Sequence, residues 1–339
     1  MKQYLLPKDG NFYKANLHCH TVYSDGNKTP EEIKTAYQQR GYSVVAYTDH
    51  ELLIPHDELT DESFLALHGF ELEINEENKE WKHLKVCHMC FIGLEPENIT
   101  QPCWHRSKYF FRGNPRHREL VKIDENEPDF ERHYDTECIS RAMQIGREKG
   151  FFVTYNHPTW NRESYPQYMN YSGMHAMEMF NGGTIVFGYE EYNPRVYDDM
   201  LTGGKKIYCI GADDTHSYAP DEDPKSDLAL AFTMIKAEKL EYRTITKALE
   251  DGHFYASEGP EIFELWYDDG KVYIRCSEAK GIMLQCQTRR AGMVLAENGK
   301  SVTEAEFTVG PDDGYFRLTV IDDAGRRACT NGYFLEDLV

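Results

Sequence analysis

The chain has 339 residues, 40% of them hydrophobic, and a formal charge of −20 from 57 acidic and 37 basic side chains. That length supports one large core and a second small one, while so acidic a balance excludes nucleic acid as a general partner, because phosphate backbones select basic faces. No stretch approaches the roughly 18 consecutive apolar residues of a membrane span, and the opening MKQYLLPKDGNFYKANLHCH lacks the apolar run of a secretory leader, so a soluble, cytoplasmic protein with no membrane partner is expected.

In chain order, Ala15 to Cys19 reads as a short strand ending on the pair His18 and His20. Asp25 follows in the sequence SDG. Thr29-Pro30-Glu31-Glu32 is a capping box with proline at the first helical position, so a helix runs from there to about Gln39, closed by Gly41. The β-branched run Ser43 to Tyr47 leads into Thr48-Asp49-His50. Strand, helix, strand with polar residues at both strand ends is the unit of a parallel β/α array. A strand-like FLALHGF precedes Glu71, and His88 lies in a second apolar run.

The pattern repeats downstream. Phe151 to Tyr155 leads to Asn156-His157-Pro158, Met174 to Phe180 to Asn181-Gly182-Gly183, and Lys206 to Ile210 to Asp213-Asp214-Thr215-His216. Leu228 to Ile235 reads as a further buried strand, and apolar spacing places helices at about 136–149, 191–202 and 240–250. After Pro260 the text turns to short alternating strands separated by Asp-Gly and Gly turns, which predicts a small antiparallel β-sandwich domain over 260–339 following a domain over 1–259. Between Glu95 and Glu131 the chain loses periodicity and gathers Trp104, Arg106, Tyr109, Phe110, Arg112, Arg116 and Arg118. Such an insertion reads either as a lid or binding loop or as a solvated excursion. Nine cysteines at irregular spacing, several inside apolar runs, read as reduced core thiols.

Histidines two residues apart on an extended chain point the same way, so His18 and His20 can face one cation, and Asp214 with His216 repeats that spacing. Glu71 at a strand end can bridge two cations. Nitrogen and oxygen donors gathered from the ends of many strands are how an α/β barrel assembles a catalytic metal cluster.

The ordered series HCH, SDG, TDH, GFE, His88, NHP and DTH resembles the PHP (polymerase and histidinol phosphatase) superfamily of metal-dependent phosphoesterases over about residues 12–258. The phrase YASEGPEI before the β domain is similar to the CehA/McbA-like metallohydrolase branch of that superfamily. The resemblance implies a distorted (β/α)7 TIM-like barrel with two or three divalent ions. His18, His20, Glu71 and Asp214 would hold one, Glu71 would bridge to a second held by His88 and His157, and Asp25, His50 and His216 would hold a third. Asp49 and Asp213 would support these ligands from behind. Mixed His/carboxylate donors suit Mn²⁺, Fe²⁺ or Zn²⁺. A hydroxide bridging the ions would attack phosphorus, with Glu71, His50 and His216 as the catalytic residues. Arg106, Arg112, Arg116, Arg118 and Asn181 would bind an anionic small-molecule substrate. Two alternatives accompany this reading: a carboxylic ester or amide hydrolase of CehA type on the same site, marked by an apolar wall of Trp104, Tyr109, Phe110 and Trp160, and a non-catalytic metal- or sugar-binding module. A homo-oligomer is compatible with the sequence, though nothing in it demands one.

Overall fold

A computed structural model describes residues 2–110 and 114–338. After β1 (Gln3–Tyr4) come β2 (Asn11–Asn16), α1 (Pro30–Gln38) and β3 (Val44–Tyr47). Helix α1 begins where the capping box predicts. Thr29 Oγ1 accepts the Glu32 N–H at 3.3 Å and the Glu32 carboxylate accepts the Thr29 N–H at 2.8 Å, which satisfies two amides that a helix start otherwise leaves without partners. Strand β2 stops at Asn16, so His18 and His20 stand on the loop beyond its end instead of within it.

Strand β4 (Leu65–Asn75) runs past Glu71, and β5 (Val86–Gly93) returns beside it. Helix α2 (Thr136–Glu148) is capped by Asp135, whose carboxylate accepts the Cys138 N–H at 2.8 Å. There follow β6 (Phe151–Tyr155), the short helices α3 (Pro158–Asn161) and α4 (Tyr165–Tyr168), β7 (Ala176–Asn181), α5 (Gly182–Val186), α6 (Pro194–Thr202) and β8 (Tyr208–Ala212). The unit closes with β9 (Phe232–Ala237), α7 (Tyr242–Glu250) and β10 (Phe254–Ser257). No helix among the described residues is long and apolar enough to cross a membrane.

The hydrogen-bonded order β10-β9-β2-β3-β4-β5-β6-β7-β8 is a large mixed sheet of an α/β protein. Neighbours within β2, β3 and β4 and within β6, β7 and β8 are parallel, but β5 is antiparallel to both its neighbours and β9 to both of its own. The expected distorted (β/α)7 barrel is met only as an α/β fold with a large mixed sheet: the parallel alternation breaks at β5 and β9, and no closed barrel is found among the described residues. Only ten residues separate β4 from β5, too few for the crossover a parallel return requires. The sheet curls back on itself through a lone Cys19–Thr215 bridge and through Thr233 Oγ1, which accepts the Gly211 N–H at 3.2 Å and donates to the Gly211 carbonyl at 2.9 Å. No ladder joins β8 to β9 or β2 among the described residues.

The C-terminal strands are β11 (Ile262–Asp268), β12 (Lys271–Ala279), β13 (Gly281–Cys286), β14 (Ala291–Leu295), β15 (Val302–Thr308), β16 (Tyr315–Ile321), β17 (Arg327–Thr330) and β18 (Tyr333–Phe334), and their pairings with one another are all antiparallel. They divide between two sheets. β11, β12 and β15 join β1, whereas β13, β14, β16 and β17 extend the large sheet because β17 pairs with β10 at Tyr255–Thr330. The N-terminal strand and the C-terminal strands are thus tied to the same framework as the site. All nine cysteines are free thiols, seven of them buried.

Candidate metal centre

Nine residues singled out in the sequence come together at one end of the sheet. His18 and His20 follow β2, Asp25 lies in the next loop, His50 follows β3, Glu71 and His88 lie on β4 and β5, His157 follows β6, and Asp214 and His216 follow β8. Their carboxylate and ring atoms form three groups, each with all its atoms within 4.8 Å of one another: His18, His20, Glu71 and Asp214; His50, Glu71 and His88; and His20, Asp25, His50 and His216. His157 stands beside the first two, its Nε2 3.3 Å from Glu71 Oε1 and 3.9 Å from Asp214 Oδ2.

Glu71, 1% exposed, is the hub. Its Oε1 lies 3.2 Å from His18 Nε2 and 3.3 Å from both His88 Nδ1 and His157 Nε2. Its Oε2 lies 3.3 Å from His20 Nε2 and 3.2 Å from His50 Nδ1. Burial pushes the Glu71 carboxyl up, and the imidazoles of His18, His88 and His50 more than reverse this, holding it well below the usual carboxylate range.

The rings are anchored from outside. His18 Nδ1 lies 2.8 Å from Glu178 Oε1, His157 Nδ1 3.0 Å from Asn161 Oδ1, and His216 Nδ1 2.9 Å from the Asp214 carbonyl. Each partner can only accept, so each Nδ1 carries the proton and each Nε2 lone pair faces inward. As a result His18 Nε2 and His20 Nε2 face each other at 3.1 Å, with Asp214 Oδ1 3.2 and 3.0 Å from them and Glu71 Oε1 3.2 Å from the first. Lone pairs converging at about 3 Å have the edge length of donors roughly 2.1 Å from a shared cation, and Asp214 Oδ1 is buried without a hydrogen bond. The residues fit a divalent ion. His157 (φ 26°) and Asp214 (φ 51°) also hold left-handed backbone conformations, the local strain that persists where surrounding structure fixes a site.

Glu178 escaped the sequence reading. Besides His18 it accepts the His157 N–H at 2.7 Å and the Asn181 side-chain amide at 2.8 Å; its signal was a lone acid inside the buried strand AMEMFN. In Glu178→Gln one oxygen becomes a donor facing these donors. Metal affinity is expected to fall about 10–100-fold, checked by Mn²⁺ titration of the apoprotein. Asp49 is not a member of the donor groups: its carboxylate accepts the N–H and hydroxyl of both Thr21 and Ser24 at 2.6–3.1 Å and so shapes the loop carrying His20, whose Nδ1 lies 3.4 Å from Ser24 Oγ. In that loop a Cβ on Gly26 would lie 2.5 Å from the His20 carbonyl oxygen. Asp213 likewise accepts Tyr37 Oη–H and the N–H groups of Ala229, Leu230 and Ala231.

None of the described residues expected to bind substrate lines the cleft above the donor groups. Asn181 is buried, caps α5 through the Thr184 N–H at 3.0 Å and donates to Asp214 Oδ2 at 3.2 Å, so it steadies a candidate ligand and is not open to substrate. Arg106 is taken up by Asp129 at 2.6 Å, Arg118 binds the His105 carbonyl and covers the Trp104 ring, and Arg116 donates to His117. Arg112 lies outside the described residues. The open cleft above the groups, about 300 Å³, is instead walled by Trp81, Trp160, Phe187 and Tyr218, and no described Lys or Arg lines it.

No protein-family profile matches the chain, and no curated protein does. Among solved structures it is similar to a two-domain protein from Bacteroides vulgatus containing a predicted PHP-like metal-dependent phosphoesterase, at 15% identity over 98% of this chain and 90% of that one, with a TM-score of 0.45. It is also similar to a protein from Bifidobacterium adolescentis described as a metal-dependent phosphoesterase, at 16% identity over 64% and 91% of the two chains and a TM-score of 0.39. A third is an amidohydrolase from Chromobacterium violaceum, at 16% identity over 62% and 93% and a TM-score of 0.34.

Proposed function

We infer that this chain is a metal-dependent hydrolase acting on a small phosphorylated molecule. The observation that carries the reading is the convergence of five imidazoles on Glu71, with Asp214 and Asp25 completing three donor groups. His18, His20, Glu71 and Asp214 would hold one ion, Glu71, His88 and His157 a second, and Asp25, His50 and His216 a third, with Mn²⁺, Fe²⁺ or Zn²⁺ suited to these donors. Bound ions supply Lewis acidity, neutralise phosphoryl charge and lower the pKa of an attacking water. Glu178, Asn161 and Ser24 hold the imidazole rings in place behind them. His216, whose side chain is 12% exposed at the cleft, is better placed than the 6% exposed His50 to protonate a leaving oxygen when it is an imidazolium not held by an ion, its Nε2 then carrying a proton.

One observation favours a second reading. A cleft with aromatic walls and no cationic side chain leaves phosphate recognition to the ions alone, and it suits an aryl carboxylic ester or amide, the CehA-type chemistry, equally well. Side-by-side hydrolysis of an aryl phosphate, a bis-aryl phosphodiester and an aryl carboxylate ester, with Mn²⁺ and with chelator, separates the two. The expected result is phosphate turnover that chelator abolishes. Turnover confined to the carboxylate ester would transfer the site to the second reading, and turnover indifferent to chelator would end both.

A further inference from the structure

Three of the exposed large apolar side chains surround the mouth of this one cleft: Trp81 is 50% exposed, Phe187 57% and Tyr218 48%. They form two aromatic walls, each backed by candidate metal ligands. On one wall the Trp81 and Trp160 rings are 6.1 Å apart, and Trp160 in turn lies 5.1 Å from the His88 ring and 4.8 Å from that of His157. On the other, Phe187 and Tyr218 are 6.2 Å apart, and Tyr218 stacks on His216 at 5.1 Å and 27°. The four rings come from four separate segments, namely the turn between β4 and β5, helix α3, the end of α5 and the loop after β8. Burial within the fold does not account for rings left half in water at a shared cleft. Their common feature is that they flank the space above the donor groups.

We propose that these walls select a substrate whose remote part is a flat, uncharged aromatic group, held between Trp81/Trp160 and Phe187/Tyr218 while its ester group rests on the metal centre. The inference builds on the hydrolase reading and names its substrate class. Aromatic faces favour offset or edge contacts with another ring beyond simple area burial, and the lack of a described cation at the walls disfavours a second anionic group there. Trp81 and Phe187 touch none of the candidate ligands in the contacts above, so they are specificity residues.

The test pairs ligands equal in carbon count, one with a flat π face and one with a saturated, puckered ring: benzylphosphonate and cyclohexylmethylphosphonate for binding to the Mn²⁺-loaded protein, and the corresponding phosphate and acetate esters for turnover. Wild type is expected to prefer the benzyl member about tenfold in whichever pair it binds or hydrolyses. The preference should fall to about twofold or less in Trp81→Ala/Phe187→Ala, with the larger loss on the benzyl member and Mn²⁺ affinity kept. A preference near one in wild type, an equal loss for both members, or no binding of either overturns the clamp. Binding preference without any turnover would leave the clamp standing and overturn the hydrolase reading instead.

Discussion

Glu71→Gln is expected to lower metal-dependent hydrolysis by about 10³-fold, the several kcal/mol that metal-ion catalysis supplies, with an unchanged far-UV circular dichroism spectrum. The reason lies in its two oxygens. Oε1 serves His18, His88 and His157 and Oε2 serves His20 and His50, so the carboxylate is common to two of the three donor groups. A glutamine of the same shape offers one acceptor, and its amide hydrogens would occupy ring lone pairs on the other side. It also removes a negative charge from a place where imidazoles already favour the anion. Metal content by mass spectrometry should drop by at least one ion per chain. Wild-type turnover in this variant would refute the shared-carboxylate site.

Six of the nine donors were legible because they follow a strand end, which is visible as the close of an apolar run in NLHCH, YTDH, YNHP and DDTH, whereas Glu71 and His88 lie within β4 and β5, not at a strand end as expected for Glu71, and Asp25 lies in a loop. What binds those residues from behind was less so. Glu178 touches His18 across 160 positions of sequence, and only its presence in a fully buried strand hinted at it. Strand direction was misread for a different reason. The alternation of strands and helices suggested a parallel barrel, yet the ten-residue link EENKEWKHLK between β4 and β5 already forbade a crossover there. The arginines of 95–131 were assigned to substrate from charge alone, and charge does not reveal that Asp129 and the His105 carbonyl claim two of them. The aromatic lining was misassigned in part for the same reason: Trp160 lies in the cleft wall as expected, but its companions Trp81, Phe187 and Tyr218 come from segments without a compositional mark.

Arg132 gives the largest expected effect on stability. It is 6% exposed and makes a two-pronged pair with the 2% exposed Glu51, both contacts at 2.6 Å, and it also donates to the carbonyls of Glu73 at 2.9 Å and Cys103 at 3.4 Å. Tyr109 covers its guanidinium at 4.2 Å. Glu51 in turn donates its N–H to the Glu71 carbonyl at 2.8 Å and accepts the Glu73 N–H at 3.1 Å. One arginine thus fastens the root of the 95–131 insertion to the strand ends that present His50 and Glu71. Removing it leaves a buried carboxylate without its counter-charge, which costs about 3–5 kcal/mol, so Arg132→Met should lower Tm by several degrees or more. The uncharged pair Arg132→Met/Glu51→Gln should recover part of that loss, giving a coupling energy of about 1–3 kcal/mol in a double-mutant cycle. Because Glu51 adjoins His50, the single variant should also bind Mn²⁺ more weakly. A single variant that melts with wild type, or a double variant whose loss equals the sum of the singles, would show that the brace carries no such energy and that the insertion is held by its other contacts.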